Sequence, residues 1–219
     1  MSTPKERPIL FKGEMVRAIL DGSKTQTRRI IKLPPLQPWQ LGSKGWDFIE
    51  CNHSLEDCNN FVAGFSDGLG TIINIKCPYG KPADPLFSRP ADRLWVRETW
   101  AVQHEYDAAA PSEIGASARW HYAATEDLGG LRKRPSIFLP RRGSRILLEI
   151  TAIHVERLQS IDEADAKAEG TQEPSLMPTI GACWSERDAY ARLWESINGP
   201  GSWAANPWVW VVEFRRVQP

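Results

Sequence analysis

Apolar and polar residues alternate along this chain in patterns that predict short strands and short helices. The first helical pattern ends just before Gly22 and comprises Met15, Val16, Ile19 and Leu20. Glycine fits the left-handed backbone position that follows the end of a helix. The stretch from Pro8 to Ile31 is therefore expected to form an extended lead-in, a helix, a polar turn and a second extended run.

The most regular strand pattern runs from Ile146 to Arg157. Apolar residues occur on both of its faces, as expected of a strand in a closed barrel. The pattern Ser160-x-x-Glu163 follows and predicts a helix that begins with a capping box and ends at Gly170. The residues expected to be buried on this helix are Ile161, Ala164 and Ala168.

A final helix is expected to begin near Ser185 and to end at Gly199. Asp188, three residues after the first position, fits the N-terminal pattern. Its apolar stripe consists of Ala189, Tyr190, Leu193, Trp194 and Ile197.

Two stretches lack this regularity. Residues 33–90 alternate prolines and glycines with short apolar runs such as 71–75, which predicts an insertion with one or two hairpins. A strand is expected at 93–101. Residues 103–136 then predict a second insertion around a short strand at 118–123. We interpret the chain as one domain, 1–219, with these two insertions.

Composition narrows the classes of partner. Of the 219 residues 42% are hydrophobic and 25% charged, and the 27 basic residues balance the 27 acidic ones. A net charge of zero predicts no overall electrostatic attraction to nucleic acid or to membranes, so any basic patch must be local. No apolar run reaches membrane-spanning length, and Met1 to Arg7 is polar. We therefore expect a cytoplasmic protein, with a monomer favoured.

The four cysteines are interpreted as thiols. A cytoplasmic chain rarely carries disulfides. A zinc site is an open alternative, but its ligands would lack a Cys-x-x-Cys pair, and we expect neither a metal nor a cofactor. Those ligands would be Cys51, His53, Cys58 and Cys77.

A local basic patch and one loop tryptophan are candidate nucleic-acid contacts. No acid intervenes between Asp127 and Glu149, which enclose Arg132, Lys133, Arg134, Arg141, Arg142 and Arg145. This patch could be a solvated loop or a rim that contacts phosphates. Trp203 follows Gly-Pro-Gly-Ser, and a loop can expose a ring face for base stacking, although tryptophans also serve as core.

The segment from Gly22 to Arg28 contains several side chains that can take part in catalysis. It places an amine, Lys24, near the hydroxyls of Thr25 and Thr27. A nucleophilic hydroxyl and an amine that can lose its proton form a minimal set for amide or ester hydrolysis. A solvated, positively charged turn is the alternative interpretation.

This segment resembles the Gly-x-Lys signature of the ASCH domain family, small RNA-associated proteins related to the PUA fold. Asp-Arg-Leu-Trp-Val-Arg-Glu at 92–98 resembles the family strand Gly-Asp-x-Leu-x-Val-x-Glu, with Ala91 in place of the glycine. Residues 146–158, 161–170 and 207–214 resemble the central strand, the acidic helix and the closing strand. The chain is most similar to larger ASCH proteins carried by bacteriophages and prophages.

The resemblance implies an α+β fold: a PUA-like mixed β-barrel flanked by short helices, with two irregular insertions. The family's branch of N4-acetylcytidine amidohydrolases implies three catalytic residues, Lys24, Thr27 and Glu169. Thr27 would attack the amide carbonyl, and Lys24 would accept its proton. Glu169, at the end of a helix, would pass a proton to the leaving nitrogen.

One geometric condition accompanies this hypothesis. On an extended strand, Lys24 would share a face with Gln26 and Arg28 rather than with Thr27, so lysine and threonine converge only in a turn. The pKa of Lys24 is expected to be lowered by burial and by the neighbouring arginines. The residues expected to bind substrate or nucleic acid are Gly22, Thr25, Arg28, Arg29, Arg141, Arg142, Arg145 and Trp203.

The favoured hypothesis is an amidohydrolase acting on N4-acylated cytosine, as a nucleoside or within RNA. A non-catalytic module that binds RNA or a modified base is an alternative, because the same pocket and patch would serve it. A ribonuclease is a further alternative that the family resemblance leaves open.

Overall fold

The computed structural model describes residues 3–40, 43–53, 61–83, 90–115, 117–171 and 185–218, with only the backbone at Trp39 and at 51–53. The strands within these ranges are β1 (Glu6–Leu10), β2 (Gln26–Ile30), β3 (Asp47–His53), β4 (Phe61–Ser66), β5 (Ile72–Lys76), β6 (Arg93–Arg97), β7 (Trp100–Ala101), β8 (His121–Tyr122), β9 (Leu147–Arg157) and β10 (Trp208–Val217). The helices are α1 (Gly13–Asp21), α2 (Glu163–Ala168) and α3 (Glu186–Asn198). None of these helices combines the length and apolar character needed to cross a membrane.

The main sheet has five strands in the order β1-β6-β9-β10-β2. β1 pairs with β6 in parallel, and the other three pairs are antiparallel. Within the described ranges the hydrogen-bonded ladder runs from β1 to β2 without closing on itself. The chain is therefore a mixed α+β protein, with β2 at one edge of the sheet.

Strand β10 is buried on both faces because it lies between two apolar layers. Val209 and Val211 pack with residues of α2 and α3. Trp210 and Val212, on the opposite face, join the larger core formed with α1 and the second sheet. This double burial explains why the sequence of β10 is apolar at successive positions.

The first predicted insertion contains a three-stranded antiparallel sheet, β3-β4-β5. Its aromatic residues pack on β10, with the Phe61 and Trp210 ring centroids 6.2 Å apart and those of Phe65 and Trp208 6.0 Å apart. The predicted hairpin structure is thus present. The interpretation of the whole chain as one domain stays a prediction.

The strand expected at 93–101 is instead two strands, β6 and β7. The break occurs at Glu98, whose buried carboxylate accepts two hydrogen bonds of 2.9 Å from Arg145. β7 pairs with β8, which lies inside the short strand expected at 118–123. A small separate core surrounds this pair and contains Trp100, Val102, Ile114, Ala118 and Leu139.

Three of the predicted helix ends are correct. Gly22 follows α1 in the left-handed conformation, with φ 86°. Ser185 and Asp188 form a complete capping box at the start of α3, which ends before Gly199.

The predicted start of α2 is wrong. Ser160 ends a 3-10 turn, and Asp162 caps the helix by accepting a hydrogen bond of 2.8 Å from the amide of Asp165. The later start changes the buried face, so Ala166 is buried and Ala164 is exposed.

Candidate functional site

A cavity of about 510 Å³ opens at the edge of the main sheet, beside β2. This volume falls in the range of small-molecule pockets. The residues of its wall that matter below are Phe11, Thr27, Arg28, Arg29, Glu169, Tyr190 and Trp194. Three elements thus meet here: the last strand of the sheet, the end of α2 and one face of α3.

Backbone contacts hold the segment before β2 between the ends of two helices. The amide of Lys24 donates to the carbonyl of Ala18 in α1, and the amide of Thr25 donates to that of Ala168 in α2, each at 2.9 Å. Lys24 also forms an isolated β-bridge with Glu169. The sequence-predicted lysine and glutamate are therefore neighbours in space.

Gly170 allows this close approach. Its φ is 77°, a conformation that L side chains rarely adopt. A Cβ placed there would lie 2.8 Å from the Cβ of Ala18 and 2.9 Å from that of Lys24. Only glycine lets the end of α2 lie this close to Lys24.

Lys24 and Glu169 form a buried ion pair. Their side chains are 0% and 3% exposed, and Nζ lies 2.7 Å from Oε2. The ammonium also donates to the backbone carbonyls of Gln26 and Glu169, each at 2.7 Å. Burial lowers the pKa of Lys24; Glu169 opposes this effect, and Arg29 and Arg28 reinforce it.

Arg28 links the same glutamate to two further carboxylates. Its guanidinium lies 2.7 Å from Glu156, 2.6 Å from Asp165 and 3.3 Å from Glu169. Burial alone would lower the pKa of Arg28, but the three carboxylates hold it above its usual value. Arg28 is thus a fixed cation that fastens β2 to β9 and α2.

Thr27 lies in β2 and is buried, yet it contributes to the cavity wall. Its hydroxyl makes no hydrogen bond with any residue in the described ranges. Lys24 precedes the strand and bonds the carbonyl of Gln26, which belongs to the same peptide group as the Thr27 nitrogen. The Lys24 amine therefore lies beside the Gln26–Thr27 peptide group, and its convergence with the Thr27 hydroxyl stays a prediction.

Only some of the other predicted binding residues line the cavity. Arg29 lies on the cavity with Arg28, but Gly22 and Thr25 are not part of its wall. The patch arginines bind elsewhere: Arg141 to Glu6, Arg142 to the carbonyls of Pro111 and Ser112, and Arg145 to Glu98. A role of these arginines in binding nucleic acid stays a prediction.

Trp203 also lies away from the cavity. It packs against Tyr190 at a centroid separation of 6.2 Å, and the guanidinium of Arg187 lies 5.4 Å from its ring centroid. One use of its ring is therefore to cover the first two turns of α3. Base stacking by Trp203 stays a prediction.

Tyr190 is the cavity residue that sequence reasoning assigned only to a helix stripe. It is 3% exposed and lies on the cavity wall. Burial, and then the charge of Glu169, raises the pKa of its phenol well above the usual value, so the hydroxyl stays a neutral donor. Helical periodicity identified it as apolar but could not reveal the neighbouring charges.

Most of the ligands of the alternative zinc site lie outside the described part of the chain. They are Cys58 and the side chains of Cys51 and His53. Cys77 is described and is buried. In the described part of the chain, no group of three or more acidic, histidine or cysteine side chains is arranged to hold a metal ion.

Comparisons of the chain with protein-family models, with curated proteins and with solved structures found no match.

Proposed function

We propose that this protein is an amidohydrolase that removes the acyl group from N4-acetylcytidine-type substrates, as nucleosides or within RNA. The observation that carries the proposal is the buried Lys24–Glu169 ion pair, because Glu169 lines the same cavity as Thr27 and Lys24 contacts Glu169 at 2.7 Å. Buried amines with lowered pKa values are uncommon outside functional sites, because removing an ammonium from water is costly.

The proposed reaction moves one proton from Thr27 to Lys24 and then along the Lys24–Glu169 contact. In the reactive state Lys24 is neutral and Glu169 is ionised. Thr27 attacks the acyl carbonyl and gives its proton to Lys24, which passes it across the 2.7 Å contact to Glu169. Glu169 then protonates the leaving cytosine nitrogen. Water hydrolyses the resulting threonine ester, releasing the carboxylic acid and restoring the hydroxyl.

We also propose that the fold is the PUA-like barrel of the ASCH family and that the protein acts in the cytoplasm. Support for the fold comes from the long antiparallel pairing of β9 with β10 and from the acidic helix that follows β9 and ends at Gly170. The Lys24–Glu169 contact joins the two segments for which the resemblance implied a shared site.

The direct test is incubation of the purified protein with N4-acetylcytidine, with chromatographic detection of cytidine and acetate. We expect release of both by the native chain and none by Lys24→Arg, since arginine keeps the charge but does not deprotonate. The circular dichroism and melting temperature of the variant check that it is folded. Normal turnover by folded Lys24→Arg would exclude Lys24 as the base.

A non-catalytic module that binds a modified base is the second candidate. It is favoured by the three acceptors that already satisfy the Lys24 ammonium, an arrangement suited to a structural cation. This candidate predicts that N4-acetylcytidine binds in a calorimeter without being converted and that Lys24→Arg binds it with little change.

A further inference from the structure

Three cations line the cavity without a carboxylate partner: Lys12, Arg29 and Lys32. No acid in the described ranges lies within ion-pair distance of any of them. Lys12 and Lys32 are exposed and Arg29 is half-buried, whereas the two buried cations at this site, Lys24 and Arg28, are paired with carboxylates. Unpaired cations gathered on one concave wall raise the local concentration of anions.

Two contacts hold the guanidinium of Arg29 in place, but they do not use all of its hydrogen-bond donors. Its Nη2 donates to the carbonyl of Leu10 at 2.8 Å, and its guanidinium lies 5.4 Å from the ring centroid of Phe11. Its Nε is buried and has no hydrogen-bond partner. These contacts place the guanidinium against the segment that carries Lys12 and leave it hydrogen-bonding capacity for a ligand.

The same segment opens a helix. Lys12 is the N-cap of α1, and lysine offers no side-chain acceptor to the free amides of the first turn. Such amides favour an anion and add to the effect of the three cations. Glu14, the acid of that turn, lines a separate cavity of about 230 Å³.

The remaining wall offers little repulsion to an anion. Glu169 is the single carboxylate among the described residues that line the cavity. Its negative charge is compensated by Lys24 and Arg28. Trp194 contributes a buried ring whose Nε1 lacks a partner, and it neighbours Tyr190 at 6.2 Å. Aromatic rings beside unpaired cations suit a nucleotide, whose base stacks while its phosphate binds the cations.

We propose that Lys12, Arg29 and Lys32 form a phosphate subsite, so that the ligand of this cavity is a phosphorylated cytidine rather than the uncharged nucleoside. The choice of cytidine rests on the proposed function, whereas the subsite rests on the cations alone. The phosphate is a monoester on the 5′ or the 3′ oxygen of the ribose, and the 3′ arrangement also corresponds to a position within RNA.

The test is calorimetric titration of the full chain with cytidine, cytidine 5′-monophosphate and cytidine 3′-monophosphate at low salt. One monophosphate should bind at least about tenfold more tightly than cytidine, because charge-assisted hydrogen bonds form only with the phosphate. The advantage should fall as salt rises. The phosphate position that gives the larger gain distinguishes the 5′ from the 3′ arrangement.

The test variant combines Lys12→Gln with Lys32→Gln. The control variant is Lys44→Gln, which removes an exposed lysine that does not line the cavity. The double variant should lose most of the preference for the monophosphate, and the control should keep it. Equal binding of cytidine and both monophosphates, or an unchanged preference in the double variant, would overturn the subsite.

Parallel turnover measurements separate this proposal from the proposed function. Preferential binding of a monophosphate without hydrolysis of any N4-acetylated compound supports the subsite and refutes the amidohydrolase. Hydrolysis of N4-acetylcytidine with no preference for its monophosphates supports the enzyme and refutes the subsite. Failure of every cytidine compound to bind refutes both.

Discussion

Removal of one member of the Lys24–Glu169 pair should destabilise the protein more than removal of both. The side chains are 0% and 3% exposed, so neither charge can be solvated in place when its partner is lost. Breaking a buried pair of this kind typically costs about 3–5 kcal/mol. We expect Glu169→Gln to fall in that range, because the ammonium of Lys24 then keeps only neutral acceptors.

Lys24→Met should cost less, nearer about 3 kcal/mol, because Arg28 still contacts Glu169 at 3.3 Å. The double variant should be more stable than Glu169→Gln alone, which corresponds to a coupling energy above about 3 kcal/mol. The free energy of unfolding is measured for all four proteins by urea denaturation at pH 7.

Arg215→Gln is the control for this cycle. Its partner, Glu149, accepts a hydrogen bond of 2.9 Å, but the side chain of Arg215 is 69% exposed. Its loss should cost less than about 1 kcal/mol. If both single variants at the buried pair cost no more than this control, water reaches the pair and the argument from burial fails.

Three further predictions concern the same site. Thr27→Val should abolish deacylation with little loss of thermal stability, and Thr27→Ser should retain turnover; equal activity of the valine variant would point to direct attack by water. Because Lys24 binds fewer protons in the folded than in the unfolded state above its lowered pKa, the free energy of unfolding should rise with pH from that pKa towards the usual lysine value of about 10.4, whereas kcat/KM should rise through the lowered pKa and level off above it. The stability slope should be absent from Lys24→Met, and a persisting slope would assign it to another group. Gly170→Ala should lower the melting temperature and the rate together, because its Cβ would push Lys24 away from Glu169; an unchanged rate would mean that the 2.7 Å contact is not needed for catalysis.

Local signals in the sequence were sufficient for much of the fold. Gly22 and the Ser185–Asp188 box act through contacts within a few residues, so their patterns identify the helix ends directly. Ser160 matched the same capping pattern but was wrong, because the chain uses it in a 3-10 turn and the acceptor of Asp162 is two residues further on. Two adjacent candidate caps cannot be ranked by spacing alone.

The candidate site was only partly predictable, since its contacts are tertiary. The three-residue spacing of Lys24 and Thr27 was visible in the chain, and family resemblance was required to add Glu169. The partners of Arg28, Glu156 and Asp165, lie 128 and 137 residues away in sequence. No periodic pattern reports such contacts, and only the placed neighbours show that Arg29 has no carboxylate partner within the described ranges.

The separation of Lys24 and Glu169 in the sequence has a consequence for the synthesis of the protein on the ribosome. The two residues are 145 positions apart, so the ribosome needs roughly 7–30 s between them at about 5–20 residues per second. Throughout that time Lys24 lacks its carboxylate partner, and Arg28 lacks its own until Glu156, 128 residues later, has been added. The cavity is therefore assembled late, when β10 docks between β9 and β2. A chain released before this step would contain the whole segment from Gly22 to Arg28 but no finished cavity beside it.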